Sequence, residues 1–278
     1  MEGERNFWAG EMASGNRAIG EVRLTFERDG KQTFARDRYE TGGLRARFPD
    51  TEHGLEAVLI NTGGGVAGGD RLMVSARLGE GAAALLSTQS AEKIYRAEAA
   101  PSEVSAILSL AARSSLAYLP QETILFDGAR LRRSLDVEMA GTATFTGLEQ
   151  TVFGRLARGE RLTNGQFLDR WRIRRDGRLI FADHVHLEGE IADQLDRPAI
   201  GGSARAIATL IHVAPDAPQK LPLLRQALAR QKIEAGATAL DGFVLVRFVA
   251  ADPALLRQAV IACVTRLLRR PMPRVWNC

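Results

Sequence analysis

The stretch that most constrains this chain is residues 61–70, Asn-Thr-Gly-Gly-Gly-Val-Ala-Gly-Gly-Asp, which holds five of the 27 glycines. Glycine at this density serves backbone that takes positive φ, or backbone that another group approaches too closely for a Cβ. Gly63, Gly65 and Gly68 fit G-x-G-x-x-G, and the apolar residues Ala57, Val58, Leu59 and Ile60 precede them as a strand would. A dinucleotide site also needs a helix opening within the glycines, so that its N-terminus receives the pyrophosphate. The following residues argue against that helix, because Leu72, Val74, Ala76 and Leu78 recur at period two, the mark of a half-buried strand. A P-loop is disfavoured as well: Asp70 and Arg71 stand where Lys and Ser or Thr should follow the last glycine. The stretch is best read as a glycine-rich connection between two strands, which leaves Asp70 to be explained.

The rest of the chain follows the β pattern. Val22, Leu24 and Phe26 alternate with polar residues, and Asp29-Gly30 supplies a hairpin turn. Asp-Gly recurs at 127–128, 176–177 and 241–242 between apolar segments, most clearly where Trp171 and Ile173 precede one pair and Leu179 and Phe181 follow it. Repeated turns of this kind predict a mainly β fold with antiparallel, β-helix-like or sandwich-like sheets. No fixed-period repeat is visible. The C-terminal quarter changes character: residues 204–213 and 243–249 read as strands, and residues 221–230 as a helix after Pro218. Residues 254–268 read as an amphipathic helix opened by Asp252-Pro253. The expectation is one domain over residues 1–278. Its β-rich part covers 1–200 and its β-α-β-α part 201–278, with Pro198 and Gly201-Gly202 at the boundary. Glu122, Glu149 and Glu160 sit among apolar neighbours, and an edge or solvent-facing place suits each.

Composition narrows the function classes. Hydrophobic residues make up 45% and charged residues 25%, a globular profile. No apolar run approaches the roughly 20 residues that span a bilayer. Met1-Glu2-Gly3-Glu4-Arg5 lacks the apolar core of a signal peptide, and two cysteines, Cys263 and Cys278, imply no disulfide framework. A cytoplasmic protein is expected. The net charge is +4, and only four of 37 basic residues are lysine. Arginine suits carboxylates and phosphates, so the cluster Arg170, Arg172, Arg174, Arg175 and Arg178 is either the solvated face of a hairpin or a contact for nucleic acid or another polyanion. No nucleophile motif and no helical H-E-x-x-H occurs. His184 and His186 flank Val185 on an expected strand and share a face, which suits a Zn²⁺- or Ni²⁺-type ion if a further ligand arrives from elsewhere. Asp183 and Glu188 are candidates to assist. Cys263 falls inside the last helix as a core residue.

Several blocks taken in order resemble the urease accessory protein UreD family, called UreH in some organisms. They are residues 61–72; Gln89 with Lys93, Ile94, Tyr95 and Arg96; Pro120, Gln121 and Glu122 with Phe126; Gly154-Arg155 and Gly159-Glu160; and Pro273, Arg274, Val275 and Trp276. The resemblance covers nearly the whole chain. It implies a non-enzymatic, predominantly β scaffold that binds UreF, recruits the GTPase UreG through it, and docks on apo-urease for nickel delivery, with a proposed water-filled tunnel as the route. Nickel is then a transient cargo, with no permanently bound cofactor. On this basis Asp70, Glu122 and Glu160 are candidates to line a nickel path or to act as structural hydrogen-bond partners. Asn61, Gly63, Gly64, Gly65, Gly68, Gly69, Gln89, Lys93, Tyr95, Pro120 and Gln121 are structural motif residues. His184 and His186 lie outside the motifs that carry the resemblance and stand as metal candidates on their shared strand face alone, and Cys278 is either a metal contact or a frayed end. The Arg-rich, polyanion-binding β domain stands as the alternative from another class.

Overall fold

The structure, a computed structural model, describes residues 17–277. The chain passes back and forth between two sheets. Strands β1 (Ile19–Asp29) and β2 (Gln32–Thr41) form a hairpin in the first sheet, and β3 (Leu44–Arg47) and β4 (Leu55–Asn61) begin the second. β5 (Arg71–Leu78) returns to the first sheet, β6 (Ala83–Thr88) enters the second, and the short β7 (Glu92–Ile94) lies at its side. β8 (Ser102–Leu110) is again in the first sheet and β9 (Ser115–Leu119) in the second, followed by β10 (Thr123–Leu125), which pairs with β7. β11 (Arg130–Met139) and β12 (Thr144–Phe153) repeat the alternation. β13 (Asn164–Arg175) and β14 (Arg178–Glu190) close the first sheet. After the short α1 (Ile191–Asp196), β15 (Ala206–Val213) joins the second sheet beside β12. The chain then runs through α2 (Leu221–Leu228), β16 (Glu234–Leu240), β17 (Phe243–Ala250) and α3 (Pro253–Leu268).

The expected mainly β fold with helices towards the C-terminus is present, and the pairing refines it. In the first sheet β1, β5, β8, β11 and β13 pair in parallel; in the second β4, β6, β9 and β12 do. Each pass crosses to the other sheet and comes back in the same direction, which makes neighbours parallel and the centre β-helix-like. Antiparallel pairing is confined to the flanks, where three of the four Asp-Gly pairs make hairpins. Asp176 and Gly177 both take positive φ, as a two-residue turn of the primed kind requires. Asp127-Gly128 departs from the hairpin expectation: it carries the chain from β10 in one sheet to β11 in the other. The Asp127 carboxylate there accepts from the Thr163 and Asn164 amides.

The sheets face each other across a core in which Val22, Leu24, Phe26, Leu131 and Leu135 meet Leu86, Leu116 and Phe145. The other side of the second sheet is covered by helix. Leu148, Val246 and Phe248 pack there against Leu256, Val260 and Val264 of α3. The Asp252 side chain caps α3 by accepting from the Ala254 amide at 2.8 Å. Cys263 lies on the buried face of α3, and burial pushes its thiol up to about 12, the mark of an inert core residue. Among the described residues no helix is long and apolar enough to cross a membrane. Cys278 and the N-terminal residues 1–16 lie outside the described residues.

Candidate functional site

The glycine stretch folds as a turn between β4 and β5, and its side chains are its organisers. Asn61 Oδ1 accepts from the Gly63 amide at 3.0 Å, and Asn61 Nδ2 donates to Gly65 O at 3.1 Å. The same Nδ2 lies 3.1 Å from both carboxylate oxygens of Glu92, so the turn is tied to β7. Gly64 takes φ +71°, and its carbonyl accepts from the Tyr95 hydroxyl. A Cβ at Gly68 would lie 2.5 Å from the Ala97 methyl and 2.9 Å from Ala100 O, so close backbone approach demands glycine there. Gly65 packs on the Tyr95 ring, and Gly69 donates to Pro101 O. No helix follows. Asp70 ends the turn: Oδ1 accepts from Ala18 N and Oδ2 from Ala67 N, both at 2.8 Å.

Beside this turn a cavity of about 120 Å³ lies between the two sheets. Asn61, Gly64, Gln89, Lys93, Pro120 and Gln121, all motif residues, line its outer part, and Gln89 and Lys93 are exposed. Its inner part is lined by Val74 and Val104 on the first sheet and Tyr118 on the second, and it ends against Arg133 and Glu149. A space of this size has room for several water molecules, with an apolar wall broken by polar groups at its two ends. Glu92 stands at the outer part, its carboxyl held above the ordinary range by burial against the opposing Asn61 hydrogen bond.

Arg133 is the centre of the inner end. Its Nε and Nη2 bind the two oxygens of Asp169 at 3.0 and 2.8 Å, and Nη1 meets Glu149 Oε2 at 2.8 Å. Thr123 and Thr151 accept its remaining protons at 3.2 and 3.0 Å, so all five guanidinium donors are used. One cation thus faces two buried carboxylates. Burial raises the Glu149 carboxyl to about 7 against the pull of the Arg133 charge, and the nearby Asp169 charge pushes the same way as burial. The Tyr118 hydroxyl is held well above its usual value, by burial first and then by the Glu149 charge. Glu149 is therefore an interior group, contrary to the edge place expected for it. Its strand runs through the middle of the second sheet, between β9 and β15.

The structure does not bring Asp70, Glu122 and Glu160 together, and none of them lines the cavity. Glu122 faces the C-terminal part, where it pairs with Arg257 Nη1 at 2.6 Å. Arg257 also donates to Gln121 Oε1 and to Trp276 O, and the Trp276 indole donates to Ser87 Oγ at 3.0 Å. The Pro120–Gln121 and Trp276 motifs are thereby one clamp across the second sheet. Glu160 binds the Arg155 guanidinium and accepts from the Asp127 amide. Arg155 in turn covers the Phe126 ring, against which Tyr95 packs edge-on. His184 and His186 lie on the outer face of β14, away from the cavity. Arg170 and Arg172 of the β13–β14 hairpin also point outward.

Arg133, Asp169 and Glu92 escaped sequence reasoning. The first two carried a signal: Arg133 shares the inward phase of Leu131, Leu135 and Val137, and Asp169 that of Phe167 and Trp171. A charge repeated on the apolar phase of adjoining strands marks a buried polar cluster.

Comparison with known proteins adds the following. The family model described as UreD urease accessory protein matches residues 18–277. The chain is 44% identical over 272 residues to urease accessory protein UreD 3 of Bradyrhizobium sp. strain BTAi1, covering 96% of each. It is 48% identical over 254 residues to urease accessory protein UreD of Methylobacterium sp. strain 4-46, covering 89% of this chain and 90% of the relative. Against urease accessory protein UreD of Xanthobacter autotrophicus the identity is 44% over 268 residues, covering 96% and 93%.

Proposed function

The chain belongs to the UreD urease accessory protein family, whose members serve urease maturation and are not enzymes, and from that premise we propose the finer role. The protein is a cytoplasmic scaffold that binds UreF, holds the GTPase UreG through it, docks on apo-urease, and assists nickel delivery to the urease active site. Nickel is cargo here and not a resident cofactor.

One observation carries the delivery reading: the cavity leads from the motif residues of the glycine turn to the buried Arg133–Glu149–Asp169 cluster. A borderline cation in transit needs oxygen and nitrogen donors that are few at any one point, since a closed cage would retain it. Glu92 and Glu149 meet that need at the two ends. Burial raises the Glu149 carboxyl to about 7, so its proton can give way to a cation near neutral pH; a divalent ion in its place leaves one extra positive charge beside Arg133, which disfavours retention and suits a transient stop. Asp70, with both oxygens committed to backbone amides, suits a structural part. Glu122 and Glu160 suit the same part, each with its arginine.

The test is urease activation in cells lacking the endogenous gene, with nickel content of urease as the readout. The wild-type chain should restore nickel loading and co-purify with UreF. Val74→Trp, which fills the cavity, should retain UreF and lose most loading. Full nickel loading without the chain overturns the maturation role. Normal loading by a folded Val74→Trp protein overturns the interior route.

A further inference from the structure

The edge strand β14 carries a second polar arrangement, remote from the cavity. His184 and His186 alternate with Val185, so both imidazoles project from the outer face of the first sheet. Both are exposed, and the rings lie stacked with centroids 6.1 Å apart and planes 23° apart. His186 Nε2 lies 3.4 Å from Oε2 of Glu188, the next residue on that face. The other Glu188 oxygen accepts from Gln166 Nε2 at 3.1 Å and has the Arg130 guanidinium 3.7 Å away. The carboxylate is therefore fixed from one side and offered to the histidine on the other. A carboxylate that accepts one ring N–H sets the tautomer and leaves the opposite nitrogen with a free lone pair, the usual preparation of a metal-binding imidazole.

We propose that His184 and His186 form a surface site for a borderline divalent transition-metal ion of the nickel, copper or zinc class, with Glu188 orienting His186. Two neutral imidazoles prefer such ions over Mg²⁺ and Ca²⁺, which seek oxygen. Alternate residues of one strand stand close enough that small rotations of exposed rings direct both at one ion. Among the described residues no group of three or more His, Cys, Asp or Glu side chains is placed to hold an ion, so water fills the remaining positions. Such a site exchanges its ion readily. Arg170 lies directly across from His184 in register, paired to Asp136 at 3.3 Å, and its charge weakens binding further. The geometry suits a site of acquisition or hand-over and not a structural one. It stands on side chains separate from the cavity and does not rest on the interior route.

Calorimetric titration of the full chain with Ni²⁺ at neutral pH tests it. His184→Ala and His186→Ala should each bind one Ni²⁺ fewer than wild type, with unchanged circular dichroism. Glu188→Gln should keep the stoichiometry and bind roughly tenfold more weakly. Excess Mg²⁺ should displace nothing. Unchanged Ni²⁺ stoichiometry and affinity in the His184→Ala, His186→Ala double variant overturns the site, and so does equal competition by Mg²⁺. The readout is ion binding by the chain itself, so failure here leaves the urease role standing, and failure of urease loading leaves this site standing.

Discussion

Arg133 reaches from the first sheet to Glu149 on the second, with Nη1 and Oε2 2.8 Å apart, and this ion pair bridges the two sheets from inside the core. The same guanidinium holds Asp169 on the neighbouring strand of its own sheet. The pair is nearly free of solvent, with side-chain exposures of 5% and 7%.

Removing the cation should be far worse than never having had the cluster. Arg133→Ala leaves two carboxylates buried without their partner, and loss of one member of a buried ionic group costs about 3–5 kcal/mol. Urea denaturation should show that loss in the midpoint. Replacing the three residues together with apolar ones of similar volume should recover most of it. A triple variant no more stable than Arg133→Ala would show that the cost lies in packing.

The Glu149 carboxyl predicts a pH signature. Its value rises from 4.5 to about 7 on folding, chiefly through burial. Between those values the unfolded chain has released a proton that the folded protein retains. Stability from this group is therefore fully present below about 4.5 and is lost as pH rises through about 7. Glu149→Gln removes the titration. The stability difference between wild type and Glu149→Gln should fall with pH across that window, read by urea melts at several pH values. Parallel curves would contradict it.

Asp70 is expected to act through the fold. Its two oxygens serve the Ala18 and Ala67 amides, one on the approach to β1 and one in the glycine turn. Asp70→Ala removes two part-buried hydrogen bonds to a charged acceptor and should cost about 1.5–3 kcal/mol, the usual worth of hydrogen bonding to a charged group. Asp70→Asn keeps one acceptor and should cost less. Thermal melts compare them. If both variants melt with wild type yet urease loading drops, Asp70 serves nickel and not the turn.

Much of this was legible in the strand phases. The inward set Val22, Leu24 and Phe26, the strand after the glycines, and the cap of α3 at Asp252 all follow from local period and local hydrogen bonding. The order of strands in each sheet does not. β5 pairs with β1 and β8, both distant in sequence, and no local pattern records which strand lies beside it. The interior site was half legible for the same reason. Arg133 and Asp169 break the apolar phase of their own strands. That the two anomalies meet Glu149 depends on sheet-to-sheet contact. The three motif carboxylates share a family signature without sharing a place.

The alternation between sheets has a consequence for assembly. A coil of parallel strands has no natural end, since each rung offers the next the same open row of amides and carbonyls. In the first sheet both ends are finished by strands that run the opposite way, β2 and β14, each turned back by its own hairpin. β2 carries Arg36, Asp37 and Arg38 in succession, and charge along an edge discourages a further strand from joining. The reversed strands work as terminators. They let a fold built on an unlimited repeat remain a molecule of fixed length instead of seeding a fibre.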